Sequence, residues 1–311
     1  MLFDSHCHIQ FQGYQDDRNE VILRCRQKGV KMNAVGTQKN TSKLAVELAE
    51  ANEDIYATIG LHPIHLHATQ VDEEESSFLS HEENFDEVFY DELAKSKKVI
   101  AVGECGLELY HLPEGVDKEK ILEKQKEIFI QQYNFALKHG LPLVIHVRDA
   151  YEEQIQLLQF LPLDKGRQGG VESLSTAPAL RVRPSLSKEG NRVEGVIHCY
   201  SGNWQQAQKF LDMGFYIGFT GVITFPARKT NPQPTLDLLE VVEKCPLDRI
   251  LIETDAPYLA PQAYRGKKCE PWMVEEVVKE IAKIKHLSRE TVEETVYQNT
   301  LNLFTKIVGN H

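Results

Sequence analysis

The sequence predicts an α/β fold, specifically a (β/α)8 barrel of the TIM type. Eight short apolar segments recur along the 311 residues, and amphipathic segments with helical periodicity separate them. Strands that alternate with helices pair in parallel through crossover helices, and eight such units close into a barrel. Because one barrel accounts for this length, we expect a single domain spanning residues 1–311.

The predicted strands and helices follow one another along the whole chain. The strands are Leu2–Ser5, Met32–Val35, Ile55–Ile59, Val99–Gly103, Leu143–Ile145, Gly195–Ile197, Phe215–Phe219 and Ile250–Thr254. The clearest helices are Arg18–Lys28, Ser42–Ala51, Lys120–Lys138 and Trp204–Met213. Gly29, Gly140 and Gly214 stand where these helical segments end, which is typical of a left-handed helix cap.

Two insertions interrupt this alternation. Residues 66 to about 86 contain an acidic run, and we expect a solvated loop there. Residues 164 to about 193 are rich in Gly, Ser, Pro and Arg and show no periodicity. Although loops of such length are functional or mobile, we favour insertions without a catalytic role.

The composition limits the classes of protein that this chain can be. With 41% hydrophobic and 26% charged residues it is typical of a soluble globular protein. No segment reaches the roughly 18 apolar residues of a membrane span, and the amino terminus does not resemble a signal peptide. We therefore expect a cytoplasmic protein that does not contact membranes. A net charge of -11 argues against an extended nucleic-acid track but permits a local basic rim.

The six cysteines are far apart in the sequence, which indicates reduced thiols rather than a disulfide framework. Cys7, Cys105 and Cys199 each adjoin a candidate metal ligand. Since side chains alternate across a strand, we expect these three thiols to point away from the metals.

Residues able to bind a metal stand at the ends of five predicted strands. They are His6, His8, Glu104, His146, His198 and Asp255. Residues two apart in a strand point the same way, so His6 and His8 can reach one ion. Active sites of barrels collect at the carboxyl ends of the strands, so the sequence predicts that all six converge.

Four imidazoles and two carboxylates exceed what one four- or five-coordinate ion binds. They suit two divalent ions about 3.5–4 Å apart. We expect Glu104 to bridge the ions, with His6, His8 and Asp255 at one site and His146 and His198 at the other. The ligand types admit Mg, Mn or Zn, as well as Fe or Co. A second His-x-His pair, His65 and His67, lies in a predicted loop, and we assign it a structural or surface role.

Seven motifs run from the first predicted strand to beyond the last. They are Asp4–His8, Gly60–Pro63, Gly103–Leu107, Leu141–Ala150, His198–Gly202, Glu253–Leu259 and Arg265–Lys267. Together they resemble the TatD family of metal-dependent deoxyribonucleases, within the amidohydrolase superfamily. The resemblance implies a barrel, divalent metal ions held by the six residues above, and cleavage of phosphodiester bonds in DNA, often from an end.

Two positions depart from that family's pattern. Glu108 stands where Asp is usual, and Cys269 stands where Asn is favoured before Glu270 and Pro271. We expect Glu108 to support a metal ligand, a role in which partners matter about 10–100-fold, and we expect Asp to serve equally well there. Neither change affects the predicted ligands.

These observations predict a divalent-metal-dependent deoxyribonuclease that acts on single-stranded DNA or DNA ends. Glu104 and Asp255 are the expected catalytic residues, with Asp255 taking the proton of the attacking water. The expected substrate-binding residues are His62, Arg148, Arg265 and Lys267. With Lys268, the last two follow the eighth strand and are predicted to form a basic rim on the face that holds Asp255.

Two other functions remain open. A small-molecule hydrolase of the same superfamily would cleave an amide, lactone or phosphoester. Many such enzymes bridge their metals with a modified lysine on the fourth strand, and Glu104 at that place favours the nuclease. A non-catalytic metal-binding or partner-binding barrel is disfavoured by the complete ligand set, and no obligate protein partner is indicated.

Overall fold

The computed structural model describes residues 1–67, 70–73, 76–79, 82–112, 115, 117–161 and 193–310. Its strands are β1 (Leu2–Cys7), β2 (Val30–Val35), β3 (Ile55–Ile59), β4 (Gln70–Glu73), β5 (Ser76–Leu79), β6 (Val99–Glu108), β7 (Leu143–Arg148), β8 (Gly195–Ile197), β9 (Tyr216–Phe219) and β10 (Ile250–Ile252). Eight of them form one sheet in the order β1-β2-β3-β6-β7-β8-β9-β10, and every pairing is parallel.

The last strand returns to the first and closes the barrel. Just beyond β10, the Asp255 amide donates to the His6 carbonyl at 2.9 Å, and the His8 amide donates to the Ala256 carbonyl at 2.7 Å. The predicted (β/α)8 barrel is confirmed. Closure takes place at the carboxyl ends of β1 and β10, so it brings two segments that carry candidate ligands side by side.

Helices connect the strands and cover the outside of the barrel. They are α1 (Arg18–Gln27), α2 (Lys39–Glu50), α3 (Glu87–Ala94), α4 (Lys118–His139), α5 (Tyr151–Phe160), α6 (Trp204–Asp212), α7 (Gln233–Lys244), α8 (Val274–Lys285) and α9 (Arg289–Leu303). The four helices predicted from periodicity are confirmed. Within the described ranges, no helix is both long enough and apolar enough to cross a membrane.

The longest helix, α4, shows how the sequence specifies these elements. The Asp117 side chain accepts a hydrogen bond from the Glu119 amide and caps its amino end. Its buried residues recur every three or four positions from Ile121 to Ala136, which places one apolar stripe against the barrel. Gly140 ends the helix with φ 61°, in the left-handed region that glycine adopts without strain.

An apolar cluster fills the barrel near the amino ends of its strands. Phe3, Tyr56, Ala101, Val144, Val196, Tyr216 and Leu251 from seven strands pack there with Leu303, Phe304 and Ile307 from the carboxyl-terminal segment. All of these side chains are buried. Because this end is filled, polar side chains inside the barrel gather at the opposite end, at the carboxyl ends of the strands.

The first insertion differs from the prediction. Within the region predicted as a solvated loop, β4 and β5 form an antiparallel pair in which Gln70 faces Leu79 and Glu73 faces Ser76. Such a pair satisfies its main-chain groups locally, so it needs no apolar periodicity that the sequence would reveal. The second predicted insertion, 164–193, lies outside the described residues except for Val193.

Candidate metal centre

A cavity of about 470 Å³ opens at the carboxyl ends of the barrel strands. Five of the six predicted ligands line it: His8, Glu104, His146, His198 and Asp255. The sixth, His6, is fully buried directly beside them, with its Nε2 3.3 Å from the Glu104 carboxylate. The structure therefore brings together all six residues that the sequence selected by position.

Backbone geometry at two strand ends turns side chains toward this cavity. Asp255 and Cys199 have φ values of 60° and 43°, in the left-handed region that non-glycine residues rarely adopt. Such strain persists where the surrounding structure fixes it, and it is concentrated at functional sites. The alternation of side-chain direction along the strand is broken at these residues. After β8 and β10, sequence spacing therefore does not determine which side chains face the cavity.

Four donor atoms form a first group, defined by His6, His8, Glu104 and Asp255. His6 Nε2 lies 3.3 Å from His8 Nε2, 3.3 Å from Glu104 Oε2 and 3.7 Å from Asp255 Oδ1. His8 Nε2 lies 3.3 Å from Asp255 Oδ1 and 3.8 Å from Glu104 Oε2. A tetrahedral ion with bonds of about 2.1 Å separates its ligands by about 3.4 Å, so these donors fit one ion.

The other Glu104 oxygen faces a second group, defined by His62, His146 and His198. Oε1 lies 3.0 Å from His146 Nδ1, 3.4 Å from His62 Nε2 and 3.7 Å from His198 Nε2. A set of donors from His62, Glu104 and His146 lies within 4.8 Å. Glu104 therefore divides its two oxygens between two groups of nitrogen donors, which is the arrangement that a bridging carboxylate needs.

In each histidine, the hydrogen bond of the ring nitrogen that faces away from the centre determines whether the nitrogen that faces the centre carries a proton or a free lone pair. His8 Nδ1 lies 2.8 Å from the Val35 carbonyl, so it carries the proton and leaves the Nε2 lone pair facing the first group. His62 is the opposite case, because its Nδ1 accepts from the Ile64 amide. Neutral His62 must then carry its proton on Nε2, so it faces Glu104 as a donor rather than as a metal ligand.

The charged groups of the centre shift one another's pKa values. Burial lowers the pKa of His146, but its hydrogen bonds to Glu104 and Glu108 outweigh burial and raise it to about 9. Burial also opposes the charge of His198, yet the Glu253 and Glu104 carboxylates raise that pKa to about 10. In the absence of metal, these two imidazoles take up protons beside the carboxylates.

We expect metal binding to release at least two protons at pH 7, one from His146 and one from His198, because a ligating imidazole must be deprotonated. Apparent metal affinity should therefore rise with pH and level off above about 10. Calorimetric titration of the metal-free protein in buffers with different ionisation enthalpies counts these protons. Binding at pH 7 without proton release would show that both rings are already neutral.

The predicted substrate-binding residues divide into two sets. His62, Arg148 and Arg265 line the cavity. Lys267 and Lys268 are not among the described residues that line it: the Lys267 ammonium lies 5.9 Å over the Tyr264 ring, and Lys268 forms a 2.6 Å ion pair with Asp17. This part of the predicted rim is corrected, because the loop after β10 directs both lysines elsewhere.

The cavity also contains residues that the sequence interpretation missed or assigned differently. Arg228, in the loop after β9, lines the wall, as does His65, which was assigned a structural or surface role. A basic residue in the loop that follows the seventh barrel strand was the available signal for Arg228. No comparable signal marked His65, since its pair of histidines lies in a loop.

The expected orientation of the thiols holds for two of the three cysteines. Cys7 Sγ and Cys105 Sγ contact the Asn33 and Val144 carbonyls. Cys199 differs, because its Sγ lies within 4.8 Å of donor atoms of His198 and Asp255. Its left-handed backbone removes the alternation on which the prediction depended. Burial and the neighbouring Asp255 charge raise the Cys199 pKa well above its usual value, so the group is a thiol.

Two further carboxylates support the histidines from behind. Glu108 Oε2 lies 3.0 Å from His146 Nε2, and its Oε1 accepts from the amides of Tyr110 and His111. Glu253 Oε1 lies 3.0 Å from His198 Nδ1. An acidic partner on the outer nitrogen orients the ring and makes the inner nitrogen a stronger ligand. Glu108 thus has the position of a supporting residue that the sequence led us to expect.

Comparison with known proteins identifies relatives that are metal-dependent hydrolases. The family model described as TatD-related DNase matches residues 3–305. The chain is 33% identical over 305 residues to the uncharacterized metal-dependent hydrolase YabD of Bacillus subtilis, covering 98% of this chain and 99% of that protein. It is 28% identical over 313 residues to the 3'-5' ssDNA/RNA exonuclease TatD of Cronobacter sakazakii, covering 98% of each.

A solved structure extends the comparison to three dimensions. The crystal structure of YjjV, a TatD homologue from Escherichia coli K12, matches with a TM-score of 0.71 and 26% sequence identity, covering 98% of each chain. The described barrel is therefore shared with a TatD homologue. The chain belongs to the TatD-related DNase family of metal-dependent hydrolases.

Proposed function

We propose that this protein is a divalent-metal-dependent nuclease that hydrolyses phosphodiester bonds in DNA, acting on single strands or from an end. The observation that carries the proposal is the division of Glu104 between two donor groups, Oε2 with His6 and His8 and Oε1 with His146 and His198. Two bound divalent ions would lower the pKa of a shared water and neutralise charge on a phosphodiester.

The number of carboxyl groups supports two ions rather than one. Glu104, Glu108 and Glu253 are buried, and the Asp255 side chain is 17% exposed. Four acidic side chains therefore surround one centre, and two divalent cations would supply four positive charges. Uncompensated buried charges are costly, so this set calls for cations of equivalent charge.

Asp255 is the carboxylate best placed to accept a proton from water. Its side chain is 17% exposed, whereas that of Glu104 is 5% exposed. Burial raises the Asp255 pKa, but in the metal-free protein a hydrogen bond from protonated His8 and the charge of His198 outweigh burial and lower it. Asp255 is thus unprotonated near neutral pH. The His62 Nε2–H group faces the same space and can donate to a phosphoryl oxygen.

The cavity wall offers features that single-stranded nucleic acids bind. The Arg148 guanidinium lies 4.0 Å over the Tyr110 ring, and the Arg265 guanidinium lies 4.5 Å over the Phe225 ring. Guanidinium and aromatic planes accept stacked bases, and arginine also neutralises phosphates. A cavity of about 470 Å³ accommodates a nucleotide-sized group rather than a duplex, which supports action at an end.

A small-molecule phosphoesterase or amidohydrolase is the second candidate function. The same cavity volume and the chain's net charge of -11 favour it, because neither requires a long polyanion. The Cronobacter relative named as a single-stranded DNA and RNA exonuclease supports the nuclease instead. Since that name also includes RNA, the preference for DNA needs a direct test.

The test uses metal-stripped protein to which Mg, Mn or Zn is restored one at a time. Substrates are end-labelled single-stranded DNA, double-stranded DNA and RNA, beside bis-p-nitrophenyl phosphate and a panel of amides and lactones. We expect metal-dependent release of nucleotides from single-stranded DNA. Turnover of amides or lactones with no release of nucleotides under any metal would reject the nuclease in favour of the second candidate.

The compartment remains part of the proposal. None of the six cysteines, all of which lie in the described residues, forms a disulfide, and five of them are buried. Thiols without disulfides are usual where glutathione and thioredoxin keep them reduced, so we propose that the enzyme works in the cytoplasm.

A further inference from the structure

Glu253 is a buried carboxyl group directly behind the metal-binding histidines. It follows β10 two residues before Asp255, and it is 0% exposed. Its Oε1 lies 3.0 Å from His198 Nδ1 and accepts from the Cys199 amide, and its Oε2 accepts from the Ser5 hydroxyl at 3.4 Å. None of the sequence reasoning assigned it a role.

The rings of His6 and His198 are stacked on each other in front of this carboxylate. Their centroids lie 3.4 Å apart at an interplanar angle of 17°. Both Nε2 atoms face Glu104, at 3.3 and 3.7 Å. The two nitrogens of an imidazole point apart, so both Nδ1 atoms lie on the side away from Glu104.

The outer nitrogens of His6 and His198 both lack a hydrogen-bond partner. His6 Nδ1 and His198 Nδ1 are buried, and neither has a hydrogen bond to any part of the chain that the structure describes, although Glu253 Oε1 lies 3.0 Å from His198 Nδ1. Yet His6, His198 and Glu253 each offer a donor atom within 4.8 Å of the others. A buried N–H needs an acceptor, and Glu253 is the carboxylate of this set.

We propose that Glu253 is a positioning residue shared by both metal sites. Its carboxylate accepts the Nδ1 protons of His6 and His198 and thereby keeps both Nε2 lone pairs directed at the ions. His6 belongs to the first donor group and His198 to the second. The inference rests on the metal centre of the proposed function but not on the substrate.

The chemistry of the side chain supports sharing. A carboxylate offers about four lone-pair directions, enough for two imidazole N–H groups, the Cys199 amide and the Ser5 hydroxyl. The fold also leaves room for it, since a Cβ on Gly218 of β9 would lie 2.7 Å from Glu253 Oε1. Only glycine at that position lets the carboxylate lie against the strand.

The other ligand histidines have outer partners of their own. His8 Nδ1 contacts the Val35 carbonyl, and His146 Nε2 contacts Glu108. Among the described residues, Glu253 is therefore the one outer partner that faces ligands of both groups. Glu108 supplies a matched control, because it supports a single ligand of the second group.

The test compares Glu253→Gln with Glu108→Gln in the full chain. Zn²⁺ affinity and stoichiometry are measured by competition with a chromophoric chelator and by elemental analysis. An amide keeps one oxygen and places an NH₂ group against a ring nitrogen, so we expect Glu253→Gln to lower the affinity for both ions by about 10–100-fold. Glu108→Gln should lower the affinity for one ion only. Wild-type affinity at either site in Glu253→Gln would overturn the proposal.

A measurement without metal separates this inference from the proposed function. Long-range ¹H–¹⁵N spectra of the metal-free protein report which nitrogen of His6 carries the proton. We expect Nδ1 in the wild type and Nε2 in Glu253→Gln, while Asp4→Asn should behave as wild type, because the buried Asp4 carboxylate accepts from the His6 amide and from Thr254 rather than from the His6 ring. An Nε2 proton in the wild type would refute the role of Glu253. Failure of wild-type protein to bind two ions would refute the metal centre instead.

If Glu253→Gln does not fold, Gly218→Ala provides a second variant. The added methyl group displaces the carboxylate without removing its charge. We expect the same loss of affinity at both sites, with the melting temperature recorded alongside. Unchanged affinity in a folded Gly218→Ala protein would also contradict the proposal.

Discussion

Replacing Glu104 with glutamine is expected to remove both ions and to lower turnover by more than about 100-fold, the upper end of what a supporting group around a metal contributes. In the structure Oε2 faces His6 and His8, while Oε1 faces His146 and His198. An amide has one acceptor oxygen, and its NH₂ group would be directed at a cation. One substitution therefore damages both sites together.

Elemental analysis, release of nucleotides from end-labelled single-stranded DNA and circular dichroism measure the three expected results for Glu104→Gln: lost metal, lost turnover and an intact fold. Glu108→Gln serves as the control, because Glu108 contacts His146 and leaves the first donor group intact. That control should retain one ion. Two full ions and normal turnover in Glu104→Gln would show that Glu104 does not bridge.

The fold was predictable from the sequence because barrel strands and helices leave local periodic signals. The strand that carries Glu104 shows the limit of those signals. Glycine disfavours strands, so the prediction ended this strand at Gly103, whereas β6 continues to Glu108. Glycine in this strand lets the backbones of β6 and β7 approach each other closely, since a Cβ on Gly106 would lie 1.9 Å from the His146 carbonyl oxygen. That contact spans two strands and cannot be seen locally.

The positions of the candidate ligands were also predictable, but the directions of several neighbouring side chains were not. Strand order alone places His146, His198 and Asp255 at the same end of the barrel. By contrast, the approach of Cys199 to the centre depends on its left-handed backbone. The Glu253 carboxylate needs the space beside Gly218, on another strand. Such features depend on tertiary contacts, which composition and periodicity do not encode.

The arginines around the cavity form a different basic rim from the one that the sequence indicated. Arg148, Arg228 and Arg265 come from three separate segments, and all three line the cavity wall. Lys267 and Lys268 are close to Arg265 in sequence, yet the Lys268 ammonium is held by Asp17 and the Gly13 carbonyl. Lys267 and Lys268 are exposed, as are Arg228 and Arg265, but they are not among the described residues that line the cavity, so they provide a control in the same protein.

Replacing Arg148, Arg228 and Arg265 together with alanine is expected to weaken binding of single-stranded DNA similarly for every sequence. Each lost phosphate contact should reduce the salt dependence of binding by up to about 0.7 in the log–log slope, or roughly 2 for the three. Lys267→Ala combined with Lys268→Ala should leave that slope near the wild-type value.

Fluorescence anisotropy across a salt titration measures both variants. Turnover of bis-p-nitrophenyl phosphate should change far less, because it does not extend along the rim. An unchanged slope in the arginine variant would mean that the cavity does not receive a polyanion, and it would favour the small-molecule hydrolase.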